Sequence, residues 1–152
     1  MIVMNMKFRT LVIKPGYVVL ANGCETEVSI FVLDVVMSPP IGGYPDFNIV
    51  LNGFLSKFQC PQNIINEIST WRVFTGNIIE AGPWDLIPIK SADAAELIVE
   101  ISMADLKLQV KVTATPYLAT ILRGYKTLDN QPIIYIKWLY SYQLVNLEKI
   151  RA

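Results

Sequence analysis

The sequence predicts an all-β, or β-rich α+β, fold: an antiparallel sandwich or barrel of about nine or ten strands with one or two short helices. Three observations predict it. Turn-forming residues recur along the chain. The runs between them are rich in valine, isoleucine, threonine and aromatics. Several of those runs alternate with a period of two. The 152 residues suit one domain, 1–152, with no linker, repeat or low-complexity tract to divide it.

The turns set the punctuation. Lys14-Pro15-Gly16-Tyr17 has proline and glycine at the central positions of a type II turn. Asn22-Gly23 and Asn52-Gly53 are the strongest hairpin signals, because a type I′ turn needs positive φ at both central residues. Thr75-Gly76-Asn77, followed by Ile78-Ile79, reads as a third hairpin. Between Met37 and Asp46 stand Pro39, Pro40, Gly42, Gly43 and Pro45; this segment reads as a crossover between sheets in preference to a binding loop.

The strands follow from alternation. Leu106, Leu108, Val110, Val112 and Ala114 interleave with Lys107, Gln109, Lys111, Thr113 and Thr115, giving one dry and one wet face. Val28, Ile30 and Val32 alternate with residues that are also apolar, which predicts a central strand covered on both sides. Ile134, Ile136, Trp138, Tyr140 and Tyr142 share one face of a long C-terminal strand, opposite Tyr135, Lys137, Ser141 and Gln143. Ser91–Met103 fits a helix or a strand; a helix would strand Val99 and Met103 on the wrong face, so a strand from Glu96 is preferred, joined to the next by a turn at Ala104-Asp105. Two short helices are expected. One is Pro61–Thr70, with Ile64, Ile65 and Ile68 together. The other starts at Thr115-Pro116 and stops at Gly124, by the proline-first, glycine-after rule.

Composition removes whole classes of function. The 13 basic and 13 acidic residues cancel, and the isoelectric point is about 6.2. A nucleic-acid partner, which calls for a basic excess, is not expected. There is no histidine, so serine–histidine and cysteine–histidine nucleophiles and histidine metal sites are impossible. Neither a metal nor a cofactor is predicted. The longest uncharged stretches, Val35–Pro45 and Val112–Leu122, are 11 residues and contain proline, against about 20 for a spanning helix. No membrane span is expected. Leu20–Cys24 faintly matches a lipoprotein cleavage site, but Lys14, Pro15 and Gly16 interrupt the apolar run before it. Cys24 and Cys60 have neither metal nor redox spacing; the preferred reading is two reduced thiols in a cytoplasmic protein, with a disulfide the alternative.

Catalysis would rest on carboxylates. Asp34, inside Phe31–Val36, is expected to be buried, Glu100 to face outward, and Asp85 to follow Trp84 as at some sugar sites. No spacing brings two of them together, and no catalytic residue is assigned. Binding residues are assigned instead: Tyr44, Trp84, Trp138, Tyr140 and Tyr142, aromatics suited to stacking on a partner or a sugar.

Charged residues are only 17% of the chain, against roughly 25% in typical soluble domains. A surface this poor in charge tends to associate. The favoured function is therefore non-catalytic: a protein-binding or assembly protein acting through an apolar sheet or loop surface, with a protein partner, a homo-oligomer, or both. Immunity-type and phage or viral structural roles are analogies only. The alternative is a β-barrel or sandwich binding a small ligand or glycan; a carboxylate-dependent hydrolase is more remote.

Overall fold

The computed structural model describes residues 6–41, 44–77, 82–103 and 106–149, with the side chains of 37–41, 44–46 and 149 outside that description. In chain order the described elements are β1 (Met6–Lys14), β2 (Gly16–Leu20), β3 (Glu25–Ile41), β4 (Tyr44–Gln59), α1 (Gln62–Ile68), β5 (Arg72–Val73), β6 (Trp84–Ile87), β7 (Ile89–Asp93), β8 (Ala95–Met103), β9 (Leu106–Lys126) and β10 (Pro132–Lys149). The larger sheet runs β1-β8-β9-β10, with β5 and β6 also on β9. The smaller runs β4-β3-β2-β7. Every pairing is antiparallel except that of β5 with β9. The two sheets do not close into a barrel, and the predicted sandwich is what the chain builds.

One apolar cluster joins the sheets. Val18, Leu20, Val28 and Ile30 of the smaller sheet meet Leu97, Val99, Ile101 and Val112 of the larger, all at most 1% exposed. The dry face read from Leu106–Thr115 is this inner face: Leu108, Val112 and Ala114 are buried. The segment 91–103 is strand on either side of Ala94, the end of β7 and then β8, and Leu97, Val99, Ile101 and Met103 all point inward. Met103 pairs with Leu106, so two residues join β8 to β9, although Ala104 and Asp105 lie outside the described residues. β3 is covered on both faces only in its first half, where Val28, Ser29 and Ile30 are buried; beyond it Val35 is still buried on the core face while Leu33, Asp34 and Val36 are exposed.

Proline and glycine depart most from their expected roles. Pro15 does not make a type II turn: Gly16 lacks the positive φ of such a turn and belongs to β2. At Pro15 the chain passes from the larger sheet to the smaller, and at Ala94 it passes back. These corners touch. A Cβ on Gly16 would stand 2.3 Å from the Asp93 carbonyl oxygen, so glycine is required by close approach of backbones.

The helix expected from Pro116 to Gly124 is strand, the middle of β9. Pro116 has no N–H, which confines it to gaps in a ladder. Such a gap exists here. β9 pairs with β8 up to Ala114 and with β6 only from Ala119, and its register with β10 breaks between Pro116 and Leu118. The crossover expected over Met37–Asp46 is instead a hairpin, with Met37 opposite Phe47 and Ile41 opposite Tyr44. Its prolines Pro39 and Pro40 fall in the register break between Ser38 and Ile41.

Asn22-Gly23 does turn the chain between β2 and β3, but not as the type I′ turn expected: Gly23 has φ 93° while Asn22 lacks a positive φ, and the loop closes with Gly23 N–H donating to Leu20 O and Leu20 N–H to Cys24 O. Thr75-Gly76-Asn77 follows β5, which pairs with β9; the other arm expected of that hairpin, Ile78-Ile79, lies outside the described residues. The predicted helix over 61–70 forms as α1, with Ile68 buried. Cys24 and Cys60 are joined as a disulfide, which corrects the reduced-thiol expectation and staples the β2–β3 turn to the start of α1.

Candidate functional site

The site is built where each sheet ends. β4 closes one side of the smaller sheet and β10 one side of the larger. Asn52-Gly53, expected to be a hairpin, lies inside β4. The reason is across the sandwich. A Cβ on Gly53 would stand 1.9 Å from Cζ2 of Trp138, so the glycine is the seat of the indole. Trp138 Nε1–H donates to the Tyr140 hydroxyl at 2.7 Å, and burial raises the Tyr140 pKa above its ordinary value. A cleft of about 430 Å³ opens beside them, between Asn52–Leu55 and Ile134–Tyr140, with Tyr117 on its wall.

The five predicted binding aromatics separate. Trp138 and Tyr140 are half-buried against the core, as alternation on a packed strand dictates. Tyr142, next on the same face, is 54% exposed. Trp84 stands on β6, its ring 6.4 Å from that of Tyr135, and touches the cleft only through that neighbour. The side chain of Tyr44 lies outside the described residues.

The carboxylates separate too. Asp34 is exposed rather than buried, at a register break in β3, where its Oδ1 accepts from the Val35 N–H at 2.8 Å. Glu100 does face outward, yet it is covered by its cross-strand neighbours. Arg9 Nε donates to it at 3.0 Å, Gln109 Nε2 at 3.4 Å, and Lys107 Nζ lies 3.8 Å away. The Arg9 bond, helped by Gln109 and the two cations, outweighs desolvation and holds its carboxyl below the usual range. Asp85 is gripped by two bonds from the Arg123 guanidinium, which likewise holds it ionised. A carboxylate committed in this way cannot serve as a general acid near neutrality. Among the described residues no group of three or more metal-ligating side chains appears. No helix is long and apolar enough to cross a membrane.

The outer face of the larger sheet is thus knitted by ion pairs, Arg9–Glu100 and Lys111–Glu96 among them. Its β10 edge differs. Every residue from Ser141 to Glu148 is exposed, including Tyr142, Leu144, Val145 and Leu147, and among the described residues β10 pairs only with β9. Leu144, Val145 and Leu147 were not singled out from sequence. The signal was present but broken: the alternation through Tyr142 slips at a bulge between Leu144 and Asn146, which returns Leu147 to the inner face opposite Leu108.

No protein-family model matches this chain, and neither a curated protein nor a solved structure matches it.

Proposed function

We propose that the chain is a non-catalytic protein-binding or assembly protein that takes a polypeptide partner on the edge strand β10. One observation carries this: a sheet edge that among the described residues has no second neighbour, with exposed apolar side chains along its inner face, in a sheet whose outer face is closed by ion pairs. Unpaired N–H and C=O groups on such an edge add a further strand, and the flanking side chains supply the affinity. The disulfide favours an oxidising compartment over the cytoplasm first expected, since such bonds are rare among reducing thiol buffers.

A photoreactive residue at position 144, with a control at Gln109, tests the reading in extract of the cells that make the protein. Polypeptide adducts at 144 and not at 109 are expected; equal or absent adducts at both overturn it.

The cleft beside Trp138 favours a second reading, a glycan or small-ligand site, because Tyr117 and Tyr135 line it with Asn52. It is the weaker of the two. The indole edge of Trp138 is spent on Gly53 and its N–H on Tyr140, leaving less of the ring for stacking.

A further inference from the structure

We infer that the partner on β10 is a second copy of the same chain, paired antiparallel about a two-fold axis through Tyr142; this rests on the protein-binding reading above.

Besides the two- and four-residue strands β5 and β6 on β9, the sheets end in β1, β10, β4 and β7, and these four edges are guarded differently. Native sheets blunt their edges with charge, proline, bulges or shortness. β7 is five residues long and carries Lys90 and Asp93. β1 also exposes Leu11, Val12 and Ile13, but it carries Lys7, Arg9 and Lys14 and breaks register between Thr10 and Val12. β4 leaves Asn48 and Asn52 outward, and its Lys57 adopts a φ of 53°. On β10, Trp138 to Leu147 contains no charge and no proline. Across β10, Pro132–Lys149, the charged residues are Lys137 toward one end and Glu148 and Lys149 at the other. Among the described residues Lys137 and Glu148 have no ion-pair partner.

A two-fold axis normal to a sheet places each residue opposite one on the same face, which restricts the register. Pairing with β9 puts Lys137 opposite Leu118 and Glu148 opposite Lys107, both on the outer face; Tyr142 lies opposite buried Val112 on the inner. With Tyr142 on the axis, Tyr140 meets Leu144 of the second copy and Trp138 meets its Leu147. All of these are inner-face residues, because the bulge at Val145 absorbs the odd residue. The same register sets Lys137 against Glu148 of the second copy, twice. Moving the axis to Ser141 sets Lys137 against Asn146, and moving it to Gln143 sets Leu139 against Glu148. Only the Tyr142 axis satisfies both charges. The bulge that obscured the sequence pattern is what makes the edge self-complementary.

The test is the mass of the purified, disulfide-intact chain by light scattering across a dilution series. The wild type is expected to be a dimer that dissociates on dilution. Lys137→Glu or Glu148→Lys alone should weaken it about ten-fold or more, because each creates two like-charge contacts. The double variant K137E/E148K should return to within about three-fold of wild type, since it only exchanges partners. Circular dichroism of each variant checks that the sheet is retained. A chain monomeric at every concentration, a dimer indifferent to the single reversals, or growth into open polymers through β1 each overturns self-pairing. If the pure chain stays monomeric while position 144 still labels another polypeptide in extract, self-pairing alone has failed. If labelling fails as well, the protein-binding reading goes with it.

Discussion

Replacing Cys24 and Cys60 together by alanine lowers the free energy of unfolding by about 3–4 kcal/mol on the loop-entropy estimate for a 36-residue separation. At this chain length that is a fall in Tm of roughly 10 °C. The effect has a specific seat. Cys24 is fully buried at the close of the β2–β3 turn, and Cys60 precedes Pro61, the residue that opens α1. Pro61 packs on Gly23, where a Cβ would come within 2.6 Å of the proline Cγ. The bond therefore fixes the long excursion of the β3–β4 hairpin at its base. Calorimetry of the double variant against wild type measures it, and reduction of the wild type should reproduce the loss. A double variant with an unchanged Tm would show that the staple adds nothing to the packing around it.

The second large effect is expected at Gly53. Gly53→Ala puts a methyl group into the space of the Trp138 ring, and overpacking of this kind costs about 1–3 kcal/mol. Trp138 cannot swing aside without losing its bond to Tyr140 and its place against the core. The tryptophan fluorescence should shift as the ring is displaced. In a Trp138→Leu background the obstructing ring is gone, so adding Gly53→Ala should cost little, and the pair should couple strongly in a double-mutant cycle. Equal penalties for Gly53→Ala in both backgrounds would mean that the glycine serves the strand backbone and not the indole.

These two sites show where the sequence was legible. Alternation in Leu106–Thr115 and Ile134–Tyr142 identified strands and their dry faces, because a pleated strand with one face on a core repeats every two residues. Asn22-Gly23 was read correctly as a reversal, because that is local, although Asn22 lacks the positive φ of the turn type expected. Asn52-Gly53 has the same dipeptide and a different cause, a ring contributed from 85 positions further along the chain; no local pattern contains that. Pro116 with Gly124 imitated helix punctuation, yet the proline fills a break between β8 and β6 on β9, a property of sheet order that sequence spacing does not encode. The disulfide joins positions whose proximity comes only from the fold.

The candidate site was legible in part. Trp138, Tyr140 and Tyr142 were placed on one face correctly, but that face is core at its start and solvent at its end, depending on how far the other sheet extends above it. Scarcity of charge was read as a sign of a covered surface. The outer face of the larger sheet is in fact well paired. Exposed apolar residues line both of its long edges, Leu11, Val12 and Ile13 on β1 and Tyr142, Leu144, Val145 and Leu147 on β10, and the β10 edge is the one without charge from Trp138 to Leu147.

The most direct measurement of that claim is amide hydrogen exchange along β10, resolved by residue and followed with concentration. In an antiparallel ladder, successive N–H groups point alternately to one neighbour and to the other. In the dilute chain, alternate amides between Leu139 and Glu148 should exchange slowly through β9 and the rest rapidly, and the rapid set should become protected as concentration rises. Uniform protection of all of them at every dilution would mean that the edge is already covered within a single chain, and the account would be wrong.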